Sequence, residues 1–527
     1  MTLQPHKHRL FIFTIIAGSI LIRLLSDRIV SSDAADLFRN SVNLFESGST
    51  GYQFRNILFS YILAVPLFLS IDVTGFALFL SLLSVIACTT IIYSIVYPKT
   101  GGTIAAFSAA AFILSFPVLR YATQVNSDIP ALALIAGTLY CSWLVLDKNK
   151  IRAIPLVYFF GSFSVSLRYG SVFIAPALLY FFWVTKKRYL FHLAGIVLGV
   201  IPIIPQLIYN SHYLSSIYSI SYSELQPTLA LRHFFQESNQ GLHFQLLHYI
   251  KNTHFSFRGI PVYFLPLTIT GIVESFGRFS PFYSRFLIIF HLAFLILLSF
   301  FAGFENRYAL GALLPCFIWL ALGTDRLYSL VKKSSTRKIV FLTWITGGLY
   351  CSFEIGFHII QSSRAIHQAR FDIIEKTTAL LNSSDIVCTE LDNNYCHPRI
   401  KTASFNRKKI NYYPFYDTLR TIEPHLAGGS FYCIFPTSRW LSEGQVRHSG
   451  VNTVTPARFT AVTIVDSCSS GDITELGFYR LLRILHREHM IPRENWLLVR
   501  MDPSADTAGS HCDFNTFYGT AATPENH

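Results

Sequence analysis

Apolar runs close to the roughly 20 residues needed to cross the hydrocarbon core of a bilayer recur from the N-terminus to about residue 358, and then stop. They lie near 10–27, 74–97, 102–120, 129–146, 153–167, 171–185, 190–209, 261–276, 286–302, 308–325 and 338–358, about eleven in all. Lipid offers backbone groups no hydrogen bonds, so such runs are stable only as helices packed on one another. The chain therefore reads as an α-helical polytopic membrane protein. Composition agrees: of 527 residues, 51% are hydrophobic and only 14% charged. The first run, FIFTIIAGSILIRLL, lacks a small-residue cleavage pattern and reads as a retained span. The run ILFSYILAVPLFLS at 57–70 is short, which suits an interfacial or re-entrant segment.

Charge separates two parts. From Arg364 onward there are 17 basic and 17 acidic residues, so the net charge of +13 belongs to the preceding 363. The excess sits in short loops, at Lys148, Lys150 and Arg152, at Lys186, Lys187 and Arg188, and at Lys332, Lys333, Arg337 and Lys338. That is the positive-inside pattern, not a nucleic-acid footprint. With the N-terminus inside, the span count puts loop 28–56, turn 121–128, loop 210–260, turn 303–307 and the tail on the outer side. The tail changes character. DIVCTEL, SFYCIFP, FTAVTIV and NWLLVRM read as strands, and TELGFYRLLRILHRE as a helix. The expected division is a membrane domain over 1–360 and a small extracytoplasmic α/β domain over 361–527. Its five cysteines, Cys388, Cys396, Cys433, Cys468 and Cys512, form no CxxC pair.

Ionisable residues gather at the expected outer face. Asp33 and Asp36, in SSDAADLFRN, stand at i and i+3 and are either first-turn capping groups or a pair on one helical face. Asp128, in YATQVNSDIPALAL, precedes a proline-initiated span and again reads as an N-cap or a site acid. Glu305, Asn306 and Arg307 crowd a short turn in GFENRYALGALLP, where the arginine is a snorkelling anchor or an anion ligand. Arg168, in SVSLRYGSVF, interrupts an apolar stretch on the side where the topology asks for no cation. Two arginines on a face that carries carboxylates suggest a phosphate-bearing ligand met by an acidic catalyst.

The order of these features resembles the GT-C superfamily of membrane glycosyltransferases that use polyprenyl-phosphate sugars. The resemblance is to the group of protein O-mannosyltransferases, the lipid A aminoarabinose transferase and the RgtA-like proteins. It implies that Asp33 is the first-loop acid of the catalytic centre, with Asp36 in support and Asp128 as the second-loop acid. It also implies that Arg307 and Tyr308 of RYALGALLP, with Arg168, hold the donor phosphate. Two departures stand out: Asp33 is followed by Ala34 where many relatives have an acidic pair, and no WWDYG-type signature of the oligosaccharyltransferase branch occurs.

The implied activity is inverting transfer of a sugar from a polyprenyl-phosphate donor to a lipid, glycan or protein acceptor at the outer face of the cell membrane. In this scheme Asp33 acts as base and the arginines stabilise the departing phosphate. The resemblance requires no cofactor, although Asp33, Asp36, Asp128 and Glu305 offer oxygens to a divalent metal. A transporter or lipid flippase of a phosphate-bearing substrate is the alternative. It calls for ionisable residues within spans and two similar halves, and neither is read in the sequence. The aromatic and histidine-rich loop with His233, His243, His248 and His254 is expected to shape a substrate site rather than bind metal.

Overall fold

The computed structural model describes residues 5–26, 32–48, 56–213, 247, 250, 260, 262–298, 307, 310–380 and five strand segments. The chain divides into two compact units, one of residues 1–28, 40–360 and 476–480, the other of residues 29–39, 361–475 and 481–527. In chain order the helices begin with α1 (Pro5–Leu25), α2 (Ser32–Ser47), α3 (Ile57–Phe68), α4 (Val73–Thr100), α5 (Gly102–Leu114), α6 (Phe116–Ala122), α7 (Asp128–Leu146) and α8 (Ile154–Leu167). They continue as α9 (Ala175–Thr185), α10 (Tyr189–Val200), α11 (Ile204–Tyr213), α12 (Leu265–Arg278), α13 (Pro281–Leu298), α14 (Leu310–Val331) and α15 (Ser335–Leu380).

Among the described residues, six helices are long and apolar enough to cross a membrane, or seven if the bent pair α5–α6 is one span. The expected figure was about eleven. It is lower here because α12 has only 14 residues, α8 also falls short, α13 runs up to residues outside the described ones, and two expected spans share one apolar stretch, Tyr169–Ser211, of 43 residues. At about 1.5 Å per residue that stretch is twice the length of one crossing. The basic turn Lys186–Arg188 interrupts it. The run expected as one span at 102–120 is two helices bent by 59°. Pro117 has no N–H for the carbonyl of Ile113, and Ser115 turns extended at φ −66° and ψ 138°. The Ser115 hydroxyl donates to the Phe112 carbonyl at 2.8 Å, which satisfies the freed end of α5.

Helices α14 and α7 form the centre of the first unit, with 83% and 78% of their apolar windows buried against 17% for α1. Phe286, Phe290 and Phe294 follow one another along α13 as a fully buried aromatic row, with the Phe294 ring against Gly311 of α14 and His291 of α13 edge-on to Trp319. Outlying α10 exposes Leu190, Leu193, Ile196 and Val197, as a lipid-facing surface requires. Between α12 and α14 the backbones touch. A Cβ on Gly271 would overlap the Trp319 carbonyl, and one on Gly323 would overlap the Leu267 carbonyl, so each glycine admits the opposite chain one turn along. Membrane helices gain little from hydrophobicity when they associate, and such close approach supplies the packing instead.

One end of this bundle is tied by charge. Asp147, just after α7, forms ion pairs with Lys99 of α4 at 3.5 Å and Lys148 at 3.3 Å, and accepts from the Ser280 N–H at 2.8 Å. Arg278, ending α12, donates to the Lys99 carbonyl at 2.8 Å, to Asp325 of α14 at 2.5 Å and to Glu274 at 3.3 Å. Helices α4, α7, α12 and α14 thus reach one face with their C-terminal ends, where cations favourably meet helix carbonyls. Buried ionisable side chains also lie on α15, where Glu354 and His358 are 0% and 1% exposed. The reading that spans lack ionisable groups is thereby corrected. The two stand at i and i+4, so one helical face carries both.

The described part of the second unit is a five-stranded mixed sheet of β1 (Ile386–Thr389), β2 (Asn411–Pro414), β3 (Phe431–Pro436), β4 (Phe459–Ser469) and β5 (Asn495–Pro503), in the order β2-β1-β3-β5-β4. β1 runs parallel to β2 and β3, with Ile386 facing Asn411 on one side and Phe431 on the other, while β5 is antiparallel to β3 and β4. The four expected strands are β1, β3, β4 and β5. β2 is an addition, a four-residue edge strand ending at Pro414, too short for an alternation to register. The helix expected at 474–488 lies outside the described residues.

The glycine contact yields a prediction. Gly271→Ala and Gly323→Ala should each destabilise the protein by about 1–3 kcal/mol through overpacking against backbone, measured as thermal unfolding in detergent. Gly277→Ala, where a Cβ meets nothing within 4 Å, should be neutral or slightly stabilising.

Candidate active site

Asp128 opens α7, but it does not cap it. Ser127 makes no side-chain cap bond. The cap is Asn126, whose Oδ1 accepts from the N–H groups of Asp128 at 2.9 Å and Ile129 at 3.3 Å. The Asn126 amide reaches back to the carbonyls of Tyr121 at 2.7 Å and Gln124 at 3.1 Å. One buried asparagine therefore closes the turn between α6 and α7 and satisfies the orphan groups of both. The capping alternative for Asp128 is removed, and its carboxylate is free for another purpose.

That purpose is an ion pair with Arg168, whose Nη1 meets Asp128 Oδ1; the side chains are 16% and 2% exposed respectively. Arg168 follows α8 in extended backbone, φ −155° and ψ 120°, its N–H bonded to the Ser164 carbonyl at 2.9 Å and its carbonyl to the Ser171 N–H at 3.0 Å. The break between α8 and the next helical turn points the long side chain across to α7. The N-terminal end of α7 adds its dipole in favour of the carboxylate. Sequence reasoning put both residues on one face, and the structure brings them into contact.

A second polar layer holds this corner. Asn56 Nδ2 donates to the carbonyls of Val165 at 2.6 Å and Ser166 at 3.1 Å, at the end of α8. The Ile57 N–H donates to Gln206 Oε1 at 3.0 Å, and Gln206 Nε2 donates to Asn210 Oδ1 at 2.9 Å. Helices α3, α8 and α11 are thus joined beside Arg168. None of Asn56, Asn126 and Gln206 was singled out from the sequence. Only Asn126 carried a local signal, an Asx residue two positions before the first helical residue.

The remaining expected residues are placed less closely. Asp33 and Asp36 both lie inside α2, which starts at Ser32, so Asp33 is a first-turn residue and not a cap ahead of Asp36. Their side chains lie outside the described residues, and residues 29–39 group with the second unit. Arg307 is half-buried and has partners within the chain. Tyr308, Glu305 and the histidines at 233, 243, 248 and 254 lie outside the described residues. Among the described residues, no three His, Cys, Asp or Glu side chains gather as a metal site.

Residues 55–209 match the family model described as dolichyl-phosphate-mannose-protein mannosyltransferase. That stretch holds Asn56, Asn126, Asp128, Arg168 and Gln206, and excludes Asp33, Asp36 and Arg307. No curated protein matches the chain in sequence. Among solved structures, the chain is similar to ArnT from Cupriavidus metallidurans bound to undecaprenyl phosphate, with a TM-score of 0.55 and 12% identity over 95% of this chain and 99% of ArnT. It is also similar to the apo state of the same protein, with a TM-score of 0.51 and 12% identity over 82% of this chain and 94% of ArnT. At this identity the likeness is one of fold, and it runs through nearly the whole of both chains. The comparisons thus show a fold shared with ArnT and a match of residues 55–209 to the mannosyltransferase family model.

Proposed function

We propose that this protein is an integral-membrane glycosyltransferase that moves a sugar from a polyprenyl-phosphate donor to a lipid, glycan or protein acceptor at the extracytoplasmic face. The observation that carries the proposal is the fold shared over 95% of the chain with a GT-C protein crystallised with undecaprenyl phosphate. The acceptor oxygen attacks the anomeric carbon as the bond to the phosphate breaks, with inversion. Asp33 takes the acceptor proton, with Asp36 beside it on the same helix. Arg307 and Tyr308 meet the phosphate as it gathers charge. Asp128 and Arg168 act as one unit, because a buried carboxylate held by a guanidinium is a weak base but a rigid positioning group. No metal is needed in this scheme.

A second reading, transport or flipping of a phosphate-bearing lipid, draws support from Glu354 and His358, fully buried within α15. The two readings separate in one reconstituted assay. Sugar transfer from a panel of polyprenyl-phosphate sugars is expected, and movement of a labelled donor across the vesicle without transfer would favour the second. Asp33→Asn should lower transfer at least about a hundredfold, the usual weight of a general base, with expression and unfolding temperature kept. Near wild-type turnover would reject Asp33 as base.

The ion pair gives a second test. Asp128→Asn and Arg168→Gln should each cost about 3–5 kcal/mol of stability, since each leaves one buried charge unanswered. The double variant should recover much of that stability and still lack transfer. A double variant that is both stable and active would make the pair purely structural. Sidedness is tested by cysteine labelling: positions 49 and 383 should react from one side and position 334 from the other.

A further inference from the structure

The Asp128 carboxylate already occupies the guanidinium of Arg168. As a neutralised pair, the two offer little to an incoming anion. The neighbouring arginine, Arg120, is in the opposite condition. It lies in α6, partly buried, with its guanidinium 5.9 Å from the Phe116 ring and 5.4 Å from the Tyr121 ring. Its Nε is buried and bonds to nothing, and among the described residues no carboxylate pairs with it. A buried donor left unmet costs about 1–3 kcal/mol, more when charged, so such a group is retained where a ligand meets it. The two aromatic rings lie against the cation without using its N–H donors.

Its position is fixed relative to the pair. Asn126 binds the carbonyl of Tyr121, the next residue to Arg120, and the N–H of Asp128, so the α6–α7 turn carries the open cation and the paired acid on one closed loop. The bend at Ser115 sets α6 apart from α5 and brings this loop to the end of α7 that holds Asp128. We infer that Arg120 is an anion ligand of this face and receives the phosphate of the polyprenyl donor, while Arg168 serves to hold Asp128. The inference rests on the glycosyltransferase reading and assigns a phosphate contact to a residue outside the RYALGALLP turn.

The test is binding of undecaprenyl phosphate to the full-length protein in phosphatidylglycerol nanodiscs, with undecaprenol as the uncharged control and inorganic phosphate as competitor. The wild type should bind the phosphate form and discriminate against undecaprenol. Arg120→Gln should weaken binding at least about tenfold at an unchanged unfolding temperature, and Arg120→Lys should recover part of it. Competition by inorganic phosphate below the millimolar range would assign the subsite to a soluble anion and overturn the lipid-donor assignment. Wild-type binding retained in Arg120→Gln overturns the Arg120 assignment and leaves the function standing. Loss in both variants with a lowered unfolding temperature makes Arg120 a packing residue and overturns it as well. A wild type that does not tell undecaprenyl phosphate from undecaprenol overturns the function and this inference together.

Discussion

A charge inside a membrane protein is costly until another charge or an oriented dipole answers it, and the first unit depends on how α7 meets that demand at its two ends. Asp128 at the start is answered by Arg168 and by the helix dipole. Asp147 just past the end is answered by Lys99 and Lys148. Between them runs a mostly apolar helix whose polar side chains, Thr138 and Ser142 among them, carry no charge. The two sets of ion pairs fix the axial register of α7 against α4 and α8, which apolar packing alone would leave free to slide.

Lateral position comes from a different source. The reciprocal contacts of Gly271 and Gly323 bring the α12 and α14 backbones together, and the aromatic residues of α13 close over the buried face of α14. Axial register from charge and lateral spacing from glycine are complementary constraints. Together they hold the corner where Asn56, Asn126 and Gln206 order the chain around the acid and its arginine.

Much of this was legible in the sequence, for physical reasons. Runs of apolar residues announce helices in lipid because no other structure satisfies the backbone there. Four strands were legible from β-rich apolar runs in a part of the chain with no spans. Asp128 and Arg168 were placed on one face by counting crossings. What escaped was set by tertiary contact. Asn126 looks like any loop asparagine until its four hydrogen bonds are seen. Arg120 looks like an ordinary cation in the last turn of a span, since the break at Ser115 is hinted at only by Pro117. Glu354 and His358 are hidden in an apolar average that a single carboxylate barely lowers. Sequence divided the chain near residue 360, where the two compact units also part, but it did not show that α15 runs unbroken across that point from Ser335 to Leu380; a helix whose apolar face gives way to a polar one changes environment without changing conformation.

The shortness of α8 carries a consequence for the surrounding lipid. With its preceding helical turn it covers Ile151–Leu167, about 25 Å of rise against a hydrocarbon core of about 30 Å. A helix shorter than the layer it sits in draws the lipid headgroups inward, at a cost of fractions of a kcal/mol per ångström. Arg168 stands at the end of this short helix, so its ion pair with Asp128 sits where a bilayer of ordinary thickness would have to thin to match the protein.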